Sequence, residues 1–198
     1  MIFGRYSGEN PDLFTIVEIG AGRSPILTNP DTPDVARLYH EGGNYIAIDA
    51  NADDIQSGAQ AAAPYQRTHR KWRAKLHTSF EHGIIEPDEP LPSILTPDSA
   101  DRVILGNVLT DPRVARTPDL CEALASAAMQ LVRKSPIGEV VVIGTLTPRV
   151  FPADATRVLM EKAGLEYAGS DRLVGYIPTR CRKVDSQSYV DRYRPAGT

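Results

Sequence analysis

The chain has 198 residues, 41% of them hydrophobic and 24% charged, which is enough apolar material for one full-sized core and too little for two. We therefore expect one domain over residues 1–198, with residues 179–198 as a polar C-terminal tail. The 22 basic and 25 acidic residues leave a net charge of −3, so the chain has no overall attraction to nucleic acid or to an anionic membrane.

The two cysteines, Cys121 and Cys181, are too few for a disulfide framework or a four-cysteine zinc site. We therefore expect a reducing environment and no metal. The chain nowhere has the run of about 18 apolar residues that a membrane span needs, and the polar Glu9, Asn10 and Asp12 come before any apolar run, unlike in a signal peptide. These features predict a cytoplasmic protein without a membrane partner.

The first half of the chain alternates strand-like and helix-like runs. Residues 14–19, FTIVEI, form a short β-branched run that predicts a buried strand, and residues 45–49, YIAID, predict a second one. Between them, residues 34–39 favour a helix. Residues 52–62 also favour a helix, which we expect Pro64 to stop.

The middle of the chain is less regular. A third strand is expected between residues 68 and 77, with residues 74–77 as its core, in a segment that is rich in basic residues. Four prolines in residues 86–97 predict an irregular loop, which leads into a strand at residues 103–105 that ends near Gly106.

The second half continues the alternation. Residues 117–134 are typical of an amphipathic helix, residues 139–146 of a buried strand, and residues 152–163 of a helix closed by Gly164. The runs at 165–169 and 172–177 predict an antiparallel pair at the sheet edge. In the tail, Tyr189 and Tyr193 have the spacing of one helical face, and the tail is either disordered in part or packed back onto the sheet.

This order predicts an α/β protein: a doubly wound, mainly parallel sheet with helices on both faces and an antiparallel edge. In such sheets, ligands bind at the carboxyl ends of the strands.

The loop after the first strand carries a Gly-x-Gly pattern in Glu18-Ile19-Gly20-Ala21-Gly22-Arg23-Ser24-Pro25. It is either a plain turn or a close backbone approach to a nucleotide-like ligand. Pro25 stands where a dinucleotide fingerprint needs its third glycine, and the chain has no G-K-[ST] of a P-loop. The remaining candidate is a ligand with an adenosine part and no requirement for phosphate.

Three segments together resemble the class I S-adenosylmethionine-dependent methyltransferases: E-I-G-A-G-R-S, Y-I-A-I-D, and L-P-S-I-L-T-P-D-S-A-D-R-V-I-L-G-N-V-L at residues 91–109. The resemblance implies a seven-stranded Rossmann-like fold, S-adenosylmethionine as the cofactor and methyl transfer as the activity. Ser24 departs from the family pattern, which has a third glycine there.

The resemblance also implies roles for individual residues. Gly20 and Gly22 would let the backbone approach the methyl donor, and Glu18 would lie near its amino-acid end. Asp49 would accept hydrogen bonds from both ribose hydroxyls, because a carboxylate offers two acceptor oxygens to two donors. Without the resemblance, a role for Asp49 in a turn or as a helix cap is as well supported as ligand binding.

Further positions follow from the same resemblance. Asn51 or its neighbour would lie beside the adenine, and residues 78–80 would face the adenine edge. Gly106 and Asn107 would lie where the fourth strand passes under the reacting methyl group.

The sequence says less about the methyl acceptor. The chain has no N/D-P-P-Y after the fourth strand and no cysteine preceded by proline, so neither planar amino groups nor carbon 5 of pyrimidines are indicated. We expect a small-molecule acceptor and assign no catalytic residue. Two alternatives remain: a non-catalytic binding module with this fold, and an RNA-modifying enzyme that uses the basic run at residues 67–75.

Overall fold

The computed structural model describes residues 13–69, 76–145, 153–171 and 188–198. In these ranges the strands are β1 Thr15–Ile19, β2 Gly43–Asp49, β3 Leu76–His82, β4 Arg102–Gly106, β5 Glu139–Thr145, β6 Leu165–Asp171 and β7 Ser188–Pro195. The helices are α1 Pro33–Glu41, α2 Ala52–His69, α3 Pro112–Ala115, α4 Pro118–Leu131 and α5 Ala153–Lys162, with a 3₁₀-helix at Ile26–Thr28.

The strands form one sheet in the order β3-β2-β1-β4-β5-β7-β6. The first five strands of that order are parallel, and β7 is antiparallel to both of its neighbours. The predicted fold class is therefore confirmed, including the antiparallel edge.

Each face of the sheet has its own core. On one face, Val35 of α1 and Ile55 of α2 pack with Ile16 of β1; on the other, Leu124 of α4 and Met160 of α5 pack with Val17. Because successive strand residues point to opposite faces, a strand covered on both sides has to be apolar throughout. This explains the uninterrupted apolar runs in the sequence.

The strand order brings three loops together. β1 lies between β2 and β4, with Ile19 beside Ile48 on one side and Leu105 on the other. The segments that follow these three strands therefore meet at the carboxyl edge of the sheet, where the strand order reverses.

Pro64 does not end α2, contrary to the prediction. The helix continues to His69 and contains Pro64 in its interior. Ala62 is fully buried and Tyr65 packs against the α1–α2 core, so both sides of the proline are held by the sheet. This packing offsets the roughly 3 kcal/mol that an interior proline costs a helix.

β3 begins where the expected strand was ending. It covers Leu76–His82, so residues 78–80 lie inside the strand and not beyond its end, and residues 70–75 are outside the described ranges. Phe80 packs against Tyr45, with ring centroids 5.6 Å apart. Residues 74–77 are therefore not the centre of the strand: residues 76–77 begin it, and residues 74–75 are not described. β3 is an edge strand, and its partly exposed side chains can be polar, which explains the weak strand signal.

The predicted pairing of β6 with residues 172–177 falls on residues outside the described ranges, and β6 has a partner that was not predicted. β6 pairs with β7 from the C-terminal tail. Tyr189 and Tyr193 therefore share the face of a strand and not of a helix, and both are buried in the α4–α5 core. Residues four apart lie on one face in a helix and also in a strand, so the spacing does not distinguish the two. In β7 this face is buried, with Tyr193 at 0% exposure.

The proline-rich loop, α4, α5 and β5 lie where they were expected. Gly164 ends α5 with φ +91°, as predicted. α4 stops at Leu131 because Val132 is extended and forms a β-bridge with Ala100. None of the described helices is long and apolar enough to cross a membrane.

Candidate functional site

The loop after β1 folds over the end of β2. Gly20 and Gly22 have φ of +75° and +54°, and the amide of Gly20 donates to the carbonyl of Ile48 at 2.9 Å. A Cβ on Gly20 would lie 2.8 Å from the Cβ of Val108. Backbone conformation and space therefore both require glycine at position 20.

The chain does not enter a long helix directly after this loop. Pro25 precedes the 3₁₀-helix Ile26–Thr28, and α1 starts only at Pro33. The loop therefore lacks the helix N-terminus that binds the pyrophosphate in dinucleotide-binding folds.

Asp49 joins the loops that follow β1 and β2. Its Oδ2 accepts a hydrogen bond from the amide of Gly22 at 2.8 Å, and its Oδ1 accepts one from the amide of Asn51 at 2.8 Å. The carboxylate is half-buried, and each oxygen retains a second lone pair. Asp49 can therefore hold the loops and accept further hydrogen bonds at the same time.

Asn51 caps α2. Its Oδ1 accepts hydrogen bonds from the amides of Asp53 at 3.0 Å and Asp54 at 3.2 Å. The Asp54 carboxylate forms an ion pair with Arg23 at 2.6 Å. The sequence analysis had not identified this capping role of Asn51.

Glu18 lies beneath the glycine loop, with 4% of its surface exposed. Its Oε2 accepts hydrogen bonds from the Ile26 amide at 2.9 Å and from the Tyr45 hydroxyl. Burial raises the pKa of the carboxyl to about 7, with a smaller contribution from Asp49, while the two hydrogen bonds oppose the rise.

The end of β4 approaches this carboxyl. A Cβ on Gly106 would lie 3.4 Å from Oε1 of Glu18. The next residue, Asn107, has φ +58° and donates its amide hydrogen to the Ile143 carbonyl at 2.8 Å, so the chain turns sharply away from the sheet.

These segments enclose a cavity of about 700 Å³. Six of the seven predicted site residues line it: Gly20, Gly22, Asp49, Asn51, Gly106 and Asn107. Glu18, the seventh, is buried behind the wall that Gly20 and Gly106 form.

The cavity has walls that the sequence analysis missed. Gly83, Ile84 and Ile85 follow β3 and contribute an apolar surface, and Ile84 is 49% exposed. A correct position for the end of β3 would have identified these residues, because the residues after a parallel strand face the ligand edge.

The segment after β4 supplies the remaining wall. Val108, Val114 and Leu124 are apolar, while Asp111 caps α3 and forms an ion pair with Arg113 at 2.9 Å. The hydrogen bond from the Arg113 side chain lowers the pKa of Asp111. No motif in the sequence marked this pair.

No protein-family profile matches the sequence, and no curated protein matches it either. Several solved structures are similar to it in fold. A TehB-like SAM-dependent methyltransferase from Corynebacterium glutamicum has a TM-score of 0.60 at 14% identity, over 92% of this chain and 80% of that one. A SAM-dependent methyltransferase from Aquifex aeolicus has a TM-score of 0.56 at 12% identity, over 91% and 81%.

A third similar structure is N,N-8-amino-8-demethyl-D-riboflavin dimethyltransferase from Streptomyces davawensis, with a TM-score of 0.54 at 14% identity, over 92% of this chain and 50% of that one. The chain has the Rossmann-like fold of the class I SAM-dependent methyltransferases. The cavity lies at the carboxyl ends of its central strands.

Proposed function

We propose that the protein is an S-adenosylmethionine-dependent methyltransferase with a small-molecule acceptor. One observation carries the proposal: the glycine loop, Asp49 and the end of β4 line one cavity at the point where the strand order reverses. A glycine turn that only joined two elements would not need a carboxylate bound to its amide.

The residues of the cavity fit this cofactor. Asp49 retains lone pairs for two hydroxyl donors, and Gly22 has no side chain, so the backbone can approach a ligand closely. Ile84, Ile85 and Val108 provide apolar surface for a flat ring. The absence of an α-helix directly after the loop agrees with a ligand that has no phosphate.

The charge of the site fits as well. Asp54 is paired with Arg23 and Asp111 with Arg113, whereas Asp49 and Glu18 form no ion pair with any described residue. Asp49 has no cation in direct contact, although Arg113 attracts it at longer range, so the site favours a ligand that brings positive charge. S-adenosylmethionine carries a sulfonium and an ammonium group.

When bound, the cofactor supplies a methyl group on a positively charged sulfur. The chain's own residues hold the ligand and exclude water from it. Because in-line displacement depends mainly on alignment, the reaction needs no dedicated base, and we assign none.

A small-molecule acceptor is supported by the net charge of −3 and by the riboflavin derivative named for one of the similar structures. The RNA-modifying alternative depends on the basic run at residues 67–75. Of that run the structure describes only the backbone of residues 67–69, so it adds no support.

Thermal shift tests the proposal most simply. A ligand that binds only the native state at a hundredfold excess over its dissociation constant stabilises it by about 2.7 kcal/mol. We expect the melting temperature to rise with S-adenosylmethionine and with S-adenosylhomocysteine. No rise at millimolar concentration of either compound would refute the cofactor assignment, and binding without turnover on any acceptor would favour the non-catalytic module.

A further inference from the structure

Arg113 is the only cation among the described residues that line the cavity, whose other charged residues are Asp49, Asp54 and Asp111. It lies in α3, beyond the end of β4, and its side chain is 87% exposed. Packing therefore does not explain why an arginine stands at this position. An ion pair that is exposed to water adds little to stability, so the contribution of Arg113 to the fold is small.

Asp111 holds one edge of the Arg113 guanidinium. Nε of Arg113 donates to Oδ1 of Asp111 at 3.1 Å, and Nη2 donates to Oδ2 at 2.9 Å. The carboxylate is fixed in turn, because its Oδ1 also accepts the backbone amide of Arg113 at 2.8 Å as the cap of α3. Asp111 thus orients a guanidinium that would otherwise turn freely in water.

The second edge of this guanidinium has no partner among the described residues. A guanidinium has five N–H donors, which form two edges that can each bind a carboxylate through two parallel hydrogen bonds. Asp111 occupies the edge of Nε and Nη2, which leaves the edge of Nη1 and Nη2. Asp49 and Asp54, on the wall that follows β2, attract Arg113 only at longer range. They favour an orientation toward the cavity without occupying the second edge.

The wall on the β4 side of the cavity is otherwise largely apolar. Val108 and Val114 come from the segment after β4, and Leu120 and Leu124 come from α4. These side chains offer apolar contact, and Arg113 adds two parallel donors and one positive charge. The combination fits a small ligand that has an apolar body and one carboxylate, whose two oxygens match the two donors of the edge.

We propose that the methyl acceptor is a small carboxylic acid with an apolar body, and that the second edge of Arg113 binds its carboxylate. The inference rests on the proposed function, in which the cofactor lies against Asp49 and the acceptor lies on the β4 side of the cavity. Arg113 then determines specificity, because a neutral amide of the same shape cannot accept both hydrogen bonds or balance the charge. Arg113 binds the acceptor and takes no part in the displacement.

Ligand-observed NMR titration of the intact protein measures this recognition. The protein is first saturated with S-adenosylhomocysteine, which fills the cofactor part of the cavity, and is then titrated with benzoate or with benzamide. These two probes share an apolar ring and differ in the carboxylate. The variant is Arg113→Gln. The control is Arg116→Gln, at an exposed arginine that directly follows α3 and is not among the described residues of the cavity wall.

We expect the wild type and Arg116→Gln to bind benzoate about fivefold more tightly than benzamide, which is the upper end for an ion pair that water can reach. Arg113→Gln should bind the two probes equally, and its melting temperature should stay close to that of the wild type because the side chain is exposed.

Three results would overturn the inference and leave the cofactor assignment intact: equal affinities of the two probes for the wild type, no binding of either probe, or a preference for benzoate that survives in Arg113→Gln. A failure of S-adenosylhomocysteine to bind in the first step would overturn the proposed function and the inference with it.

Discussion

Burial and hydrogen bonds act on the pKa of Glu18 in opposite directions, and burial has the larger effect. Burial raises its pKa from 4.5 to about 7, so the folded chain binds more protons than the unfolded chain between these two values. The stability contributed by the protonated form is therefore present below about pH 4.5 and is lost as the pH rises to about 7. The ionised carboxylate therefore lowers the free energy of unfolding at neutral pH.

Replacing Glu18 by Gln should remove this pH dependence. Relative to the wild type, the free energy of unfolding of Glu18→Gln should be higher at pH 8 than at pH 5, by up to about 3 kcal/mol. Urea denaturation at the two pH values measures this difference, with Glu161→Gln as the control. A difference between variant and wild type that is the same at both pH values would contradict the raised pKa.

Asp49 joins the loops after β1 and β2 and lines the cavity. Asp49→Ala removes the acceptor of the Gly22 and Asn51 amides, so it should weaken binding of S-adenosylhomocysteine more than tenfold. The melting temperature should change little, because the residue is half-buried and water can reach the freed amides. Calorimetry and thermal unfolding of Asp49→Ala, with the exposed Asp53→Ala as the control, separate the two effects.

Two outcomes of the Asp49→Ala experiment would contradict this prediction. Unchanged affinity would remove Asp49 from the ligand site. A large loss of melting temperature would show that its hydrogen bonds to the two loops are needed for folding.

At the scale of elements, α2 is placed by a close contact with the glycine loop. A Cβ on Gly58 of α2 would lie 2.4 Å from the carbonyl oxygen of Gly22. In an unconstrained helix, Gly→Ala stabilises by up to about 1 kcal/mol. Here the sign should reverse, because the added methyl group meets the backbone.

We expect Gly58→Ala to lower the melting temperature and to weaken ligand binding, since α2 has to move away from the loop. Ser57→Ala, one position earlier in the same helix, is the control and should leave binding unchanged. Stabilisation by Gly58→Ala would show that the contact between α2 and the loop is looser than described.

β7 completes the sheet from the end of the chain. Tyr193 is fully buried, and Glu139 of β5 binds Arg192 at 2.6 Å and Arg194 at 2.6 Å. Deleting residues 188–198 should expose the α4–α5 core and abolish cooperative thermal unfolding, measured by circular dichroism. A truncated chain that unfolds cooperatively at the parent temperature would show that β7 is dispensable.

The elements that sequence analysis predicted correctly are those whose signal is local. The apolar runs of β1, β2 and β5 and the glycine of the α5 cap follow from burial on two faces and from backbone conformation. β3 was misplaced and β7 was not predicted as a strand, because the contacts that fix these strands are distant in sequence. Phe80 packs on Tyr45, and Tyr193 packs in the core beneath α4 and α5.

The same distinction holds for the molecule as a whole. Gly20, Gly22 and Asp49, which line the cavity, were predicted as site residues because they stand at the ends of recognisable strands. Ile84, Asp111 and Arg113 were not, because the length and course of the loops after β3 and β4 decide which side chains reach the cavity. The approach of Gly106 to the Glu18 carboxyl likewise depends on the pairing of β1 with β4, which the sequence does not display.

The central claim concerns the whole molecule: its one sheet builds a cavity for an adenosine ligand that carries positive charge and no phosphate. Calorimetric titration of the intact protein with S-adenosylmethionine and with NAD tests this claim most directly. The account predicts binding of S-adenosylmethionine and at least tenfold weaker binding of NAD, because only a three-residue 3₁₀-helix, and no α-helix, directly follows the glycine loop to bind a pyrophosphate. Tighter binding of NAD than of S-adenosylmethionine would contradict it.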